Sequence, residues 1–195
     1  MLSEEILSTF HRLMAEAQAA GEPDANAMSL ASAEAGGRVS SRMLLLKTAD
    51  VRGFTFYTNL DSDKGRQLHA QPLAAMCFHW KHLRDGVQVR IEGHVEAVDD
   101  AEADAYFATR PRESQLGAWA SLQSQTLPDR ATFEQRFADA EQRYANGPVP
   151  RPPHWSGLRL VPDLVEFWYG VPFRLHERHR HEWREGAWHY RLLYP

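Results

Sequence analysis

The chain has a single cysteine, Cys77, which excludes an intramolecular disulfide and a cysteine-rich zinc site. No apolar run approaches the ~20 residues that a membrane-spanning helix needs. The opening MLSEEILSTF is acidic and amphipathic, unlike a secretory leader. Cytoplasmic residence without a membrane partner is the expectation. There is no excess of positive charge: the formal net charge is −4, which argues against a broad nucleic-acid surface. Any anion site must therefore be a local concentration of cations. Glycine (12) and proline (11) are too few for a collagen-like or low-complexity chain. GxGxxG, GxxxxGK, GxSxG and HExxH are all missing.

What is present is a globular composition, with 43% apolar and 11% aromatic residues in 195, enough for one domain with a real core. Leu2, Ile6, Leu7, Phe10, Leu13, Met14 and Ala17 recur at helical spacing, and Gly21–Pro23 ends that helix. From 27 to about 98 the period becomes two. MSLASA, SRMLLLK, FTFYTN, LAAMCFHW and VQVRIEGHVEAV read as strands between turn signals. Asp61-Ser62 can cap a short helix through Leu68, stopped near Pro72. Asp99 with Glu102 has the form of a capping box for a helix to Arg110. A further helix is expected over 130–145. Strands at 157–169 and 173–183 precede a hairpin at Glu185-Gly186. Many antiparallel strands with inserted helices predict a mainly β, α+β barrel.

Cationic and hydroxyl residues gather at element ends. Arg42 and Lys47 bracket LLL, and on one regular strand they would face opposite ways, so a bulge or bend is needed for both to serve one pocket. Lys64, in the first turn of a helix, opposes the helix dipole unless an anion sits nearby. Tyr106 and Arg110 are spaced i, i+4, with Ser114 beyond Pro111: a phenol, a guanidinium and a hydroxyl suited to a phosphate. Alternation would put Arg174, His176 and Arg178 on one strand face. His176, His179 and His181 lack a carboxylate or cysteine at ligand spacing, so no metal site is expected. For each group the plain alternative is a solvated charge or a half-buried aromatic.

SSRMLLLK, GFTFYTN, QVRIEG, YFATRPRESQLGAWAS, VPRPPHW, EFWYG and RLHER, in this order, resemble the pyridoxine/pyridoxamine 5′-phosphate oxidase family over almost the whole chain. The resemblance implies one split-barrel domain over 1–195, with an N-terminal helix in 1–22 and C-terminal strands in 157–195 completing a site at a dimer interface. It implies a homodimer holding flavin mononucleotide (FMN). Carried over by motif, the flavin site falls on Arg42, Lys47, Tyr57, Thr58, Lys64, Gln88, Gln123, Ser124, Trp168 and Arg178. Gln88 and Gln123 are expected at the ring edge, and Arg42, Lys64, Thr58 and Ser124 at the phosphate. The substrate site falls on Lys47, Tyr106, Arg110, Ser114, Arg174 and His176, with Arg174 and His176 as the catalytic pair over the pyridine ring.

The implied reaction is hydride transfer from C4′ of pyridoxine or pyridoxamine phosphate to the flavin. Oxygen is then reduced to hydrogen peroxide, and pyridoxal 5′-phosphate is the product. A relative acting on another substrate, of the phenazine-pathway type, and a non-catalytic flavin or pyridoxal phosphate binder are the competing readings. Two departures stand out. Asp63 occupies a position where the family usually has arginine, and HLRDGVQV has a longer turn, with Arg84 as a candidate replacement for a lost cation near the flavin.

Overall fold

The computed structural model describes all residues, Met1–Pro195. Helix α1 (Glu4–Ala19) is capped by Ser3 and buries Ile6, Phe10, Leu13 and Ala17. Phe10 meets Phe54 and Phe78 edge-on at centroid distances of 5.1 and 5.2 Å, so α1 plugs the concave side of the sheet.

The sheet contains β1 (Ala27–Ala33), β2 (Val39–Leu45), β3 (Thr48–Asp50), β4 (Gly53–Asn59), β5 (Leu73–Trp80), β6 (Val87–Ala97), β7 (Trp155–Tyr169), β8 (Glu177–Arg184) and β9 (Ala187–Leu193). Its order is β2-β1-β5-β6-β7-β4-β3, with β8 and β9 added beside the far half of β7. All pairs are antiparallel. The long β7 joins two layers of pairing: Trp155–Leu160 runs against β4, and Leu164–Tyr169 against β8. The register with β6 shifts at Glu92/Gly93. A Cβ on Gly93 would lie 2.1 Å from the Val161 carbonyl oxygen, so only glycine admits this approach.

Helix α2 (Asp63–Ala70) packs across β1. Helices α3 (Asp100–Ala108), α4 (Arg112–Ala120) and α5 (Arg130–Arg143) form a separate group around Phe107, Leu116, Ala140, Val149 and Trp155. The fold is the expected antiparallel barrel-like sheet with flanking helices.

Four local expectations are corrected. The strand expected from 173 begins at Glu177. Pro172–Arg174 is a single 3-10 turn in which Phe173 and Arg174 have φ of 61° and 66°. Pairing of β8 with β7 starts only at Tyr169↔Glu177, so the chain must turn back within the intervening residues. Arg174 therefore does not share a strand face with His176 and Arg178. Second, β2 ends at Leu45, so Lys47 lies beyond it; no bulge within the strand is involved. Third, Asp99 accepts from the Glu102 N–H, but the Glu102 carboxylate leaves the cap and goes to Arg159. Fourth, Arg110 follows the end of α3, and Ser114 lies on α4, a helix the sequence pattern did not disclose.

Candidate functional site

Three groups of side chains form the candidate site. The first is at the N-terminus of α2. Ser62 caps the helix, and Gly65 lets its first turn press on the Leu60 carbonyl, where a Cβ would sit 2.1 Å from the oxygen. This holds Lys64 against β4. Lys64 is 8% exposed, and its Nζ donates to Thr58 Oγ1 (3.1 Å), Ser62 Oγ (3.0 Å) and Gln123 Oε1 (2.7 Å). No carboxylate lies within ion-pairing distance. Burial, then the neighbouring Arg42, pushes the Lys64 pKa down to about 8.

Arg42, on β2, donates to Ser32 Oγ (2.6 Å), Ser40 Oγ (2.7 Å) and Gln67 Oε1 (3.2 Å), and it too lacks a carboxylate partner. Ser124, in left-handed conformation at φ 72°, accepts the Asp63 N–H at 3.2 Å and docks the 121–125 turn on α2. Buried Lys64 and half-buried Arg42, surrounded by neutral oxygens at a helix N-terminus, form a cradle suited to a phosphate. Ser32, Ser40, Ser62 and Gln67 were not anticipated. Serine carries no sequence signal of this kind until its fold neighbour is known.

Asp63 turns outward, 60% exposed, and pairs with Arg66. Its carboxylate does not enter the cradle.

The second group is a row across three strands. Gln88 on β6 faces Trp168 on β7, which faces Arg178 on β8, so all three project from one sheet face, opposite the core. His176 lies against Trp168 at 4.5 Å between ring centroids. Its Nδ1 accepts the Val171 N–H at 3.2 Å, so a neutral ring carries its proton on Nε2. Arg174 is exposed on its turn. Gln123, expected with Gln88 at the flavin ring edge, accepts from the Lys64 ammonium through its Oε1. Arg84 is committed elsewhere: it pairs with Glu16 of α1 at 2.7 Å and lies over Tyr169.

The third group is an aromatic stack. Tyr57 of β4 stacks on Tyr106 of α3 at 3.9 Å, and Trp155 continues the stack 5.2 Å from Tyr57. The Arg110 guanidinium lies over Trp155, 4.6 Å from the ring centre. Its Nη1 is buried and has no hydrogen-bond partner, and burial lowers its pKa. Helix α4 begins at Pro111 without a side-chain cap, with Ser114 exposed in its first turn. An unpartnered guanidinium beside an uncapped helix start fits a second phosphate. Lys47 is exposed beside β3, with its side chain in no hydrogen bond or ion pair. Trp155, the platform of this group, was not anticipated; a tryptophan after prolines reads as core.

A family model described as pyridoxamine 5′-phosphate oxidase matches residues 14–144. The chain belongs to this family. A second model, described as the pyridoxine 5′-phosphate oxidase C-terminal dimerisation region, matches residues 155–195. Relatives named pyridoxine/pyridoxamine 5′-phosphate oxidase include one from Myxococcus xanthus (strain DK1622), 52% identical over 195 residues, covering 100% of this chain and 94% of the relative. Another, from Xanthomonas oryzae pv. oryzae (strain KACC10331 / KXO85), is 55% identical over 196 residues, covering 100% and 98%.

Among solved structures, PhzG from Burkholderia lata 383, in complex with tetrahydrophenazine-1-carboxylic acid, superposes with a TM-score of 0.91 at 30% identity over 100% of this chain and 98% of that one. This member of the pyridoxamine 5′-phosphate oxidase family is thus an oxidoreductase of split-barrel fold with a dimerisation region. The oxidase-family motifs of the sequence converge on the three groups above.

Proposed function

We propose that the chain is a homodimeric, cytoplasmic, FMN-dependent oxidase that converts pyridoxine and pyridoxamine 5′-phosphates to pyridoxal 5′-phosphate. The observation that carries this reading is the presence of two cationic centres without carboxylates, Lys64 with Arg42 and, separately, Arg110 with its unpartnered Nη1. A flavin mononucleotide and a phosphorylated substrate bring two phosphates.

Arg42, Lys64, Thr58 and Ser124 would hold the flavin phosphate. Gln88, Trp168 and Arg178 would line its ring, with Tyr57 and Lys47 at its margin. Tyr106, Arg110, Ser114 and Lys47 would grip the substrate phosphate, placing the reacting carbon by its far end. Bound FMN would supply the two-electron redox chemistry, with C4′ of the substrate as hydride donor and oxygen as the final acceptor, reduced to hydrogen peroxide. His176, through its Nε2, and Arg174 would position the C4′ substituent and stabilise the charge that develops as hydride leaves. A second copy would support the exposed Arg174, whose side chain is in no hydrogen bond or ion pair within one chain. It would also cover Val39 (67% exposed) and Met43 (65%) on the edge strand β2, and Leu192 (63%) and Tyr194 (93%) in the dimerisation region.

The test is the colour and oxygen uptake of the purified protein. It should be yellow, release FMN on denaturation, and consume oxygen with either phosphate ester while forming peroxide. A protein that takes up no flavin, or that carries flavin yet consumes no oxygen with either ester, would sink the proposal. The likeness to PhzG favours a second reading, an FMN oxidase acting on another ring system. A ring carboxylate could also pair with Arg110, so what weighs against that reading is the set of Tyr106, Arg110 and Ser114 together, a phenol, a guanidinium and a hydroxyl suited to a phosphate.

A further inference from the structure

Glu166 lies in the half of β7 that is flanked by both β6 and β8, on the same face as Trp168. Although that face is opposite the core, Glu166 is 1% exposed. Its cover is made of arginines. Register places Arg90 and Arg180 directly opposite it, and Arg178 two pairs further along, beside Trp168. Oε1 accepts from Nε of Arg178 at 3.0 Å and lies 2.9 Å from its Nη2 in the ion pair. Oε2 accepts from Nε of Arg180 at 3.0 Å and lies 2.9 Å from its Nη2 in the ion pair. Arg90 Nη1 stands 4.0 Å from Oε2. Burial would raise the carboxyl pKa, but the two guanidiniums outweigh it and hold the group below its usual range.

The two bonded arginines are not equivalent. Arg180 also reaches Glu182 at 3.3 Å, so it is neutralised twice. Arg178 has Glu166 as its one anion, and its Nη1 makes only a long 3.3 Å contact to the Tyr194 carbonyl. One edge of the Arg178 guanidinium is thus fixed, and the other keeps donor capacity beside Trp168. A free arginine side chain would have to be ordered when a ligand arrives. Here the ordering is completed when the sheet forms.

We propose that Glu166 is a positioning residue: it locks Arg178 in the orientation that presents its remaining N–H groups to the flavin ring. The inference rests on the reading above that Gln88, Trp168 and Arg178 line that ring. Glu166 also neutralises a cluster in which Arg90, Arg178 and Arg180 would otherwise repel one another across neighbouring strands.

The experiment is a mutant cycle on the full-length protein, with FMN affinity read by fluorescence titration, the visible spectrum of the bound flavin, and the melting temperature of the flavin-free form. Arg178→Ala should weaken FMN binding about tenfold or more, the scale of a charge-assisted hydrogen bond. Glu166→Gln should weaken it comparably and shift the flavin spectrum in the same direction. The double variant should bind no more weakly than Arg178→Ala alone. Should Glu166→Gln fail to fold, Glu166→Asp keeps the charge while drawing the carboxylate back from Arg178, and it should show the same loss and spectral shift in part. Normal FMN affinity in Arg178→Ala would overturn the ring-site reading of Arg178 and this inference with it. Weakened binding in Arg178→Ala but normal binding in both Glu166 variants would overturn this inference alone. So would losses that multiply in the double variant.

Discussion

Both carboxylate oxygens of Glu102 on α3 lie 2.8 Å from Nη2 of Arg159 on β7. Arg159 is 5% exposed, and its other acid, Glu96, stands further off at 3.3 Å. Glu102 also takes Arg52 of the β3–β4 turn at 3.0 Å. One carboxylate thus bolts the helix that bears Tyr106, and that leads into Arg110, onto two parts of the sheet. Glu102→Ala would leave a buried guanidinium half-compensated, at a cost of about 2–4 kcal/mol in stability. It should also raise the KM for the phosphorylated substrate more than it lowers kcat, because α3 loses its seat. Urea denaturation and steady-state kinetics check the two effects.

Lys64 predicts a pH dependence of flavin binding. Its pKa in the flavin-free fold is about 8, below the ordinary lysine value, because burial and Arg42 disfavour the charge. A bound phosphate restores the charged form, so above that pKa binding must take up a proton and FMN affinity should fall as pH rises. Stability of the flavin-free form runs the other way. Between the folded pKa and the ordinary lysine pKa of about 10.4, the unfolded chain holds the extra proton, so this residue's contribution rises with pH. Lys64→Met should abolish the affinity step above pH 8 and lower affinity below it. Titrations at pH 7 and pH 9.5 decide the matter.

Asp63 stands outside the phosphate cradle but close enough to act on both Arg42 and Lys64 through space. Its charge opposes an incoming phosphate. Asp63→Asn should tighten FMN binding about twofold to threefold, the scale of an exposed charge effect. Asp63→Arg should tighten it further by adding attraction. Equal affinity in all three proteins would show that the exposed carboxylate is fully screened.

Arg110 carries an unmet buried N–H, which costs stability in the ligand-free fold. Arg110→Met should therefore leave the melting temperature unchanged or raise it, while substrate KM rises about tenfold or more as a charged phosphate contact is lost. FMN retention should be unaffected. A drop in stability together with an unchanged KM would contradict the assignment.

Arg174 separates chemistry from cofactor binding. It lies exposed on the 172–174 turn and takes no part in either phosphate group. Arg174→Ala should depress turnover much more than flavin retention, measured on the same preparation by oxygen uptake and flavin absorbance. Equal loss of both would place Arg174 in cofactor binding instead.

The sequence by itself determined the elements whose residues face one way for local reasons. The period-two run of β6 placed Val87, Val89 and Ile91 in the core and Gln88 and Arg90 on the other face, and the observed burial follows that pattern. The caps at Ser62 and Asp99, and the hairpin at Glu185-Gly186, depend on a few neighbouring atoms and were readable. The family motifs carried the candidate residues. What tertiary structure decided are the relations set by partners far along the chain. Arg174 left the strand because pairing with β7 begins only at Glu177. Gln123 went to Lys64 because the 121–125 turn docks on α2. Glu102 abandoned its cap for Arg159 because α3 packs on β7, and Glu166 found its arginines because strand register places side by side charges that are far apart in the chain. Such pairings depend on where the backbone has already been fixed by core burial, and no local window of residues contains that information.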